Sequence, residues 1–166
     1  MKGFVRGMTT RPSLAGDEEY RLWVLLHQTC DALSRARENE LRKAAGISRM
    51  QAAVLFIVKA IAGPVTPAEI SRWLFREPHT VSGILDRMER QGLVRKAKDL
   101  ERKNMIRVAL TEKGEEAYHR TTELKAIRNI LLSLSKEELE NLRKYLETMR
   151  NKAIEELRID YELPFP

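Results

Sequence analysis

The spacing of apolar side chains changes character along the chain, and the changes divide it into elements. From Asp17 to Ala44 the positions Tyr20, Trp23, Val24, His27, Cys30, Leu33, Leu41 and Ala44 follow a helical spacing, which predicts one long amphipathic helix. Asp17, Glu18 and Glu19 open it, where negative charge meets the positive end of the helix dipole, and Gly46 ends it. Ser48 followed by Gln51 has capping-box spacing, and the apolar run through Ile61 predicts a buried second helix that stops at Gly63-Pro64. Thr66-Pro67-Ala68-Glu69 combines a threonine cap, a proline at the first helical position and a glutamate three residues after the cap. The short helix it starts turns Ile70, Trp73 and Leu74 inward. After the turn Phe75-Arg76-Glu77, Pro78 opens a helix that runs to about Gln91, with Val81, Ile84, Leu85 and Met88 on one face and Gly92 as its stop.

Beyond Gly92 the period changes. Leu93-Val94 with the basic residues after it, then a polar stretch from Asp99 to Asn104, then Met105 to Leu110 predict two strands around a charged loop. Thr111 caps a further helix, expected to carry Ala117, Leu124, Ile127 and Leu131 on one side before Ser135. Ser135 and Glu138 form another capping box for a last helix. Leu139, Leu142, Leu146, Met149, Ala153 and Leu157 in that helix alternate spacings of three and four like a heptad seam. A helix hairpin over residues 111–158 cannot bury both of its seams alone. Either a second copy of the chain covers them, together with the first helix, or they pack onto their own domain.

Composition narrows the class. The chain has 166 residues and one cysteine, so neither an intramolecular disulfide nor a multi-cysteine zinc site is available, and a reducing, cytoplasmic setting is expected. The run Ala52 to Val58 is far shorter than the roughly 20 residues a membrane helix needs, and Met1 to Gly16 has no continuous apolar block, so neither a membrane span nor a secretory signal is expected. His27, His79 and His119 are scattered, and there is no glycine-rich phosphate loop or nucleophile elbow; no enzyme, metal or cofactor is expected.

The net charge of +6 is unevenly spread: residues 1–63 and 64–107 each hold ten basic and six acidic side chains, residues 108–166 ten and twelve. Within Val94 to Arg107 lie Arg95, Lys96, Lys98, Arg102, Lys103 and Arg107 against Asp99 and Glu101. This hairpin is either a solvated strand pair or a phosphate-binding surface.

Helix, helix, short helix, tight turn, helix and basic hairpin is the plan of a winged helix-turn-helix. The fold class is thus mainly α with a small β-hairpin (α+β), a winged helix-turn-helix with N- and C-terminal dimerisation helices. The expected organisation is a flexible arm over 1–16, a helical dimerisation region over 17–46 and 111–160, and the winged region over 47–110, with Leu139, Leu142, Leu146, Met149 and Leu157 as dimerisation residues. A major groove about 12 Å wide admits one helix, whose exposed N-terminal part reaches base edges. Here that part carries Pro78, His79, Thr80, Ser82, Gly83, Asp86 and Arg87. His79, Thr80 and Ser82 can hydrogen-bond to bases, Gly83 permits close backbone approach, and Arg87 reaches phosphate, as do Arg72, Arg76 and Arg95 from the flanks. Glu77 and Asp86 have the wrong sign for DNA unless each is paired with a neighbouring basic group, and Asp86 is read as a buttress to a wing arginine.

Thr80-Val81-Ser82, then Leu85-Asp86-Arg87-Met88-Glu89-Arg90-Gln91-Gly92-Leu93-Val94, and Val108-Ala109-Leu110-Thr111-Glu112-Lys113-Gly114 behind the hairpin resemble the MarR-type (multiple antibiotic resistance regulator) transcription factors over residues 17–158. The resemblance implies a homodimer with interlocked terminal helices, bound through two recognition helices to double-stranded DNA at a pseudo-palindromic operator with half-sites about 10 base pairs apart. It implies a repressor more than an activator, and a small aromatic or anionic effector in a cleft that Trp23, His27 and Cys30 could border. Family members often place an aspartate and then an arginine at the wing tip. In this register those positions are Arg102 and Lys103, or Glu101 and Arg102 after a one-residue slip, which makes Arg102 the minor-groove candidate and Lys103 a phosphate contact. Core packing is the simpler role for Trp23 and Cys30; oxidant sensing is the other role open to Cys30. A different function class stays open: a winged-helix adaptor that binds protein and not DNA, to which Glu77, Glu89 and Glu101 would suit.

Overall fold

A computed structural model describes residues 14–61, 65–98 and 105–159. By internal packing the chain divides into residues 1–35 and 36–166. In the first unit, Leu14–Gly16 form a 3-10 turn at the end of the arm expected over 1–16, and helix α1, Glu18–Ala45, begins. The Asp17 carboxylate accepts the Tyr20 N–H at 2.8 Å, which makes Asp17 the cap of α1. No described side chain of residues 18–35 is buried; Trp23 is 58% exposed and Cys30 is exposed. This corrects the packing role expected for both, because neither side chain is buried.

The second unit takes the rest of α1 and continues with α2 (Arg49–Ala60), α3 (Pro67–Leu74), α4 (Pro78–Arg90), β1 (Val94–Lys98), β2 (Ile106–Leu110), α5 (Glu112–Thr121), α6 (Lys125–Leu131) and α7 (Lys136–Glu156). The helix starts follow local chemistry. Ser48 with Gln51, Thr66 with Glu69 and Ser135 with Glu138 each close a complete capping box. Gly46 at φ 68° and Gly92 at φ 70° turn the chain out of α1 and α4 in a conformation that other residues resist. The stop expected for α2 at Gly63-Pro64 lies outside the described residues.

One core holds the winged region together. Leu41 of α1, Val54, Leu55 and Ile57 of α2, Ile70 of α3, Val81, Leu85 and Met88 of α4, and Val94 and Val108 of the hairpin are all buried. The strands pair antiparallel from Val94 with Leu110 to Lys98 with Ile106. Val65, just before α3, joins them through the Val108 N–H to its carbonyl at 2.8 Å, so the hairpin is anchored to the helix-turn-helix by backbone as well as by side chains.

The helix expected from Thr111 to Ser135 is broken. α5 ends at Thr121, Leu124 takes a left-handed φ of 51°, and α6 restarts at Lys125. Arg37 of α1 donates to the Thr121 carbonyl at 2.6 Å and to Glu40 at 2.6 Å. The Glu40 carboxylate lies beside the Ala126 and Lys125 N–H groups at the start of α6, which favour its charged form. Burial alone would raise the Glu40 carboxyl, but the Arg37 hydrogen bond, these N–H groups and the Arg37 charge outweigh it and hold it below the ordinary glutamate range. Long-range partners override the helical pattern here.

Candidate nucleic-acid interface

Helix α4 is held by its inner face and open on the other. Val81, Leu85 and Met88 are at most 1% exposed, whereas Pro78, His79, Thr80, Ser82, Gly83, Asp86 and Arg87 all face solvent. Its entry angle is fixed by the turn after α3. Phe75 adopts φ 49°, the Arg76 N–H returns to the Ser71 carbonyl at 3.1 Å, and the buried Ser71 hydroxyl donates to the Arg76 carbonyl at 2.5 Å. Arg72 and Arg76 lie exposed beside this turn, and Arg95 is exposed on β1. Arg102 and Lys103 lie outside the described residues.

Gly83 is informative because nothing inside the protein requires it. A Cβ there would meet no atom within 4 Å, yet glycine in a helix interior costs about 1 kcal/mol relative to alanine. The space it leaves opens outward, on the face that also carries His79, Thr80 and Ser82.

Asp86 is a buttress, but its partner is a lysine and not the arginine expected. Lys96 of β1 donates to Asp86 Oδ1 at 2.5 Å and its ammonium lies 2.9 Å from Glu89 Oε2, while its own backbone N–H donates to Glu89 Oε1 at 2.9 Å. The hydrogen bond from Lys96 and then its charge hold Asp86 below the usual carboxylate range; for Glu89 the Lys96 side chain and then its backbone N–H do the same. Both carboxylates raise the Lys96 ammonium. One cation therefore pairs with two acids of α4 and ties the hairpin to that helix. Glu89, which favoured a protein partner as a bare charge, is a structural anchor.

Sequence reasoning missed Lys96. The available signal was Asp86 and Glu89 one turn apart on a helix next to a basic hairpin, but only the strand register picks Lys96 out from Arg95 and Lys98.

The effector candidates Trp23, His27 and Cys30 sit on the exposed first part of α1, with the Trp23 and His27 rings 5.6 Å apart. A cavity the sequence did not reveal, about 370 Å³, lies in the second unit and is walled by Arg37, Leu41, Arg49, Phe56, Tyr118 and Leu124. It adjoins the break between α5 and α6. Along α7, Leu139 and Leu142 are half-buried and Leu146, Met149 and Leu157 are 45%, 47% and 66% exposed; Leu131, Leu139, Leu142 and Leu146 line an open groove of about 550 Å³. Among the described residues there is no group of three or more His, Cys, Asp or Glu that could hold a metal ion. No described helix is long and apolar enough to cross a membrane.

Comparison with known proteins gives a consistent picture. The family model described as "MarR family" matches residues 45–103. No curated protein matches the sequence. Among solved structures, an organohalide-sensing transcriptional regulator bound to 2,4-dichlorophenol is 29% identical over 98% of this chain and 99% of its own, with a TM-score of 0.82. A mutant MarR from E. coli complexed with operator DNA is 21% identical over 80% of this chain and 96% of its own, with a TM-score of 0.73. The MepR–DNA complex of S. aureus is 22% identical over 78% and 96%, also at 0.73. At these last two identities the likeness speaks for the fold.

Proposed function

Because this chain carries a MarR-type winged helix-turn-helix, we propose that it is a sequence-specific, DNA-binding transcriptional regulator and not an enzyme. It acts as a homodimer on a pseudo-palindromic operator, as a repressor relieved by a small effector. The observation that carries the reading is the outer face of α4. Its inner residues are locked in the core, its two acids are both ion-paired with Lys96, and an internally unexplained glycine lies among His79, Thr80 and Ser82. These last three read base edges; Arg72, Arg76, Arg87, Arg95, Arg102 and Lys103 supply phosphate contacts. The engagement of Glu89 by Lys96 counts against the adaptor alternative. The organisation follows: residues 47–110 meet DNA, and residues 17–46 and 111–160 join two copies through Leu139, Leu142, Leu146, Met149 and Leu157.

The effector belongs in the cavity beside Arg37, Phe56 and Tyr118 more than at the exposed Trp23, His27 and Cys30. A weakly acidic aromatic molecule matches its mixture of apolar wall and arginine, and the organohalide-sensing relative binds a chlorinated phenol. Selection of bound duplexes from a random pool at physiological salt tests the proposal. A two-fold symmetric consensus is expected; enrichment of no sequence, with no salt-dependent binding to duplex DNA, would overturn it.

A further inference from the structure

Among the described residues, the complete capping box of α2 differs chemically from those of α3 and α7. Glu69 and Glu138 close the latter two with a carboxylate, whereas Gln51 closes the first with an amide. Gln51 is also buried, at 6% exposure. The box itself needs only an acceptor, and Gln51 Oε1 accepts the Ser48 N–H at 3.0 Å. That bond orients the amide, so its nitrogen is free to donate elsewhere, and it donates to Gln91 Oε1 at 2.5 Å. A glutamate at position 51 would close the box equally well, but it would turn an oxygen toward Gln91 in place of a donor and would bury a charge.

Gln91 is the residue at which α4 ends. Its backbone carbonyl accepts from Lys113 Nζ of α5 at 2.8 Å, and its exposed side chain reaches α2. The start of α2 is in turn tied to α1, because Glu38 Oε2 accepts the Arg49 N–H at 2.6 Å. Val81, Leu85 and Met88 hold α4 against the core, but apolar packing has no direction of its own. Hydrogen bonds from two elements supply the direction: Lys96 of the hairpin to Asp86 and Glu89, and Gln51 of α2 to Gln91.

We propose that Gln51 and Gln91 are positioning residues for DNA recognition. The amide pair locks the C-terminal end of α4 to the start of α2, so that His79, Thr80 and Ser82 at the other end of the helix meet the groove in one orientation. Reading base edges requires that orientation, whereas holding the phosphates of an arbitrary duplex does not. Loss of the pair leaves α4 in the competent orientation for a smaller fraction of the time, which lowers selective affinity by that fraction and spares the electrostatic part. The role rests on the DNA-binding reading; the amide pair does not.

The test uses the full chain and changes Gln91, whose exposed side chain can be replaced without opening the core. Gln91→Met removes the acceptor at similar length, and Gln91→Glu keeps it. The side-chain NH2 resonances of Gln51 report the bond without DNA and are expected to shift in Gln91→Met. The ratio of affinity for the selected duplex to affinity for random duplex is expected to fall roughly fivefold in Gln91→Met, the scale of one hydrogen bond, and to stay near the parent value in Gln91→Glu. The salt slope on random duplex should not change. Unshifted Gln51 resonances would mean there is no pair to lose and would overturn the proposal. Shifted resonances with an unchanged ratio, equal weakening on both duplexes included, would make the pair a purely structural contact and overturn the role. A ratio lost equally in Gln91→Met and Gln91→Glu would overturn it too, since the acceptor would not be what matters. If the resonances shifted but the parent bound no duplex, the pair would stand and the DNA-binding reading would fall, taking the positioning role with it.

Discussion

Two glycines inside helices predict opposite outcomes for one chemical change. At Gly83 an added Cβ meets nothing within 4 Å, so Gly83→Ala should gain the helix-propensity difference, up to about 1 kcal/mol. At Gly114, in the first turn of α5, the same Cβ would lie 2.0 Å from the Leu93 carbonyl oxygen and 3.0 Å from its carbon. Relief requires α5 to withdraw by about 1 Å from a backbone segment whose residue, Leu93, is only 4% exposed. That carbonyl also accepts the Thr111 N–H at 3.2 Å, and the Thr111 hydroxyl, which caps α5, donates to the Gly92 carbonyl at 2.5 Å. Overpacking costs about 1–3 kcal/mol and a disturbed hydrogen bond about 1 kcal/mol more. Against the propensity gain, Gly114→Ala should be net destabilising by about 1–3 kcal/mol. For a chain of this length that lowers Tm by roughly 3–10 °C. Thermal and urea unfolding followed by circular dichroism, with both variants side by side, checks it. If Gly114→Ala raised Tm as Gly83→Ala does, the close approach of α5 to the base of the hairpin would be refuted. Gly83→Ala should meanwhile weaken binding to the selected duplex in a more stable protein.

Further outcomes follow from the same structure. Lys96→Met should weaken duplex binding, and Asp86→Asn should recover part of it only in the Lys96→Met background; equal effects in both backgrounds in a double-mutant cycle would make Lys96 a phosphate contact. Because the folded Glu40 carboxyl is held below its ordinary range, its contribution is fully present above the unfolded value, near pH 4.5, and is lost as pH falls through the lower folded value. Tm against pH should therefore fall less steeply below pH about 4.5 in Glu40→Gln than in the parent. Leu142→Glu with Leu146→Glu should leave the winged region folded and shift sedimentation toward the monomer; an unchanged species would remove α7 from the dimer interface. Arg102→Ala should cost about 1–3 kcal/mol of operator binding, and unchanged affinity and salt slope would remove the wing-tip assignment.

What could be read from the sequence was what neighbouring residues decide. Ser48-Gln51, Thr66-Glu69 and Ser135-Glu138 mark helix starts because both partners of each hydrogen bond lie within one turn. Gly46 and Gly92 mark ends for the same reason. The helix period likewise sorted Val81, Leu85 and Met88 from His79, Thr80 and Ser82. The break at Thr121 to Leu124 was hidden because its cause is Arg37 and Glu40, some 84 residues earlier. Lys96 was hidden because charge alone cannot tell which hairpin cation faces Asp86. The cavity was hidden because α1, α2, α5 and the break all contribute walls. Trp23 and Cys30 misled because apolar spacing says which side of a helix is apolar, not what covers it.

The break itself sets a mechanical ratio. Only three residues, 122–124, separate α5, which backs the hairpin, from α6, and the Glu40 carboxylate of α1 lies against the start of α6. In a dimer joined through α7, this joint is one of the links that would set the distance between the two copies of α4, far from any base they would touch. A rotation of a few degrees there becomes ångströms at α4, so a molecule small enough to sit beside Arg37 would act on the spacing of two grooves and never need to approach the DNA.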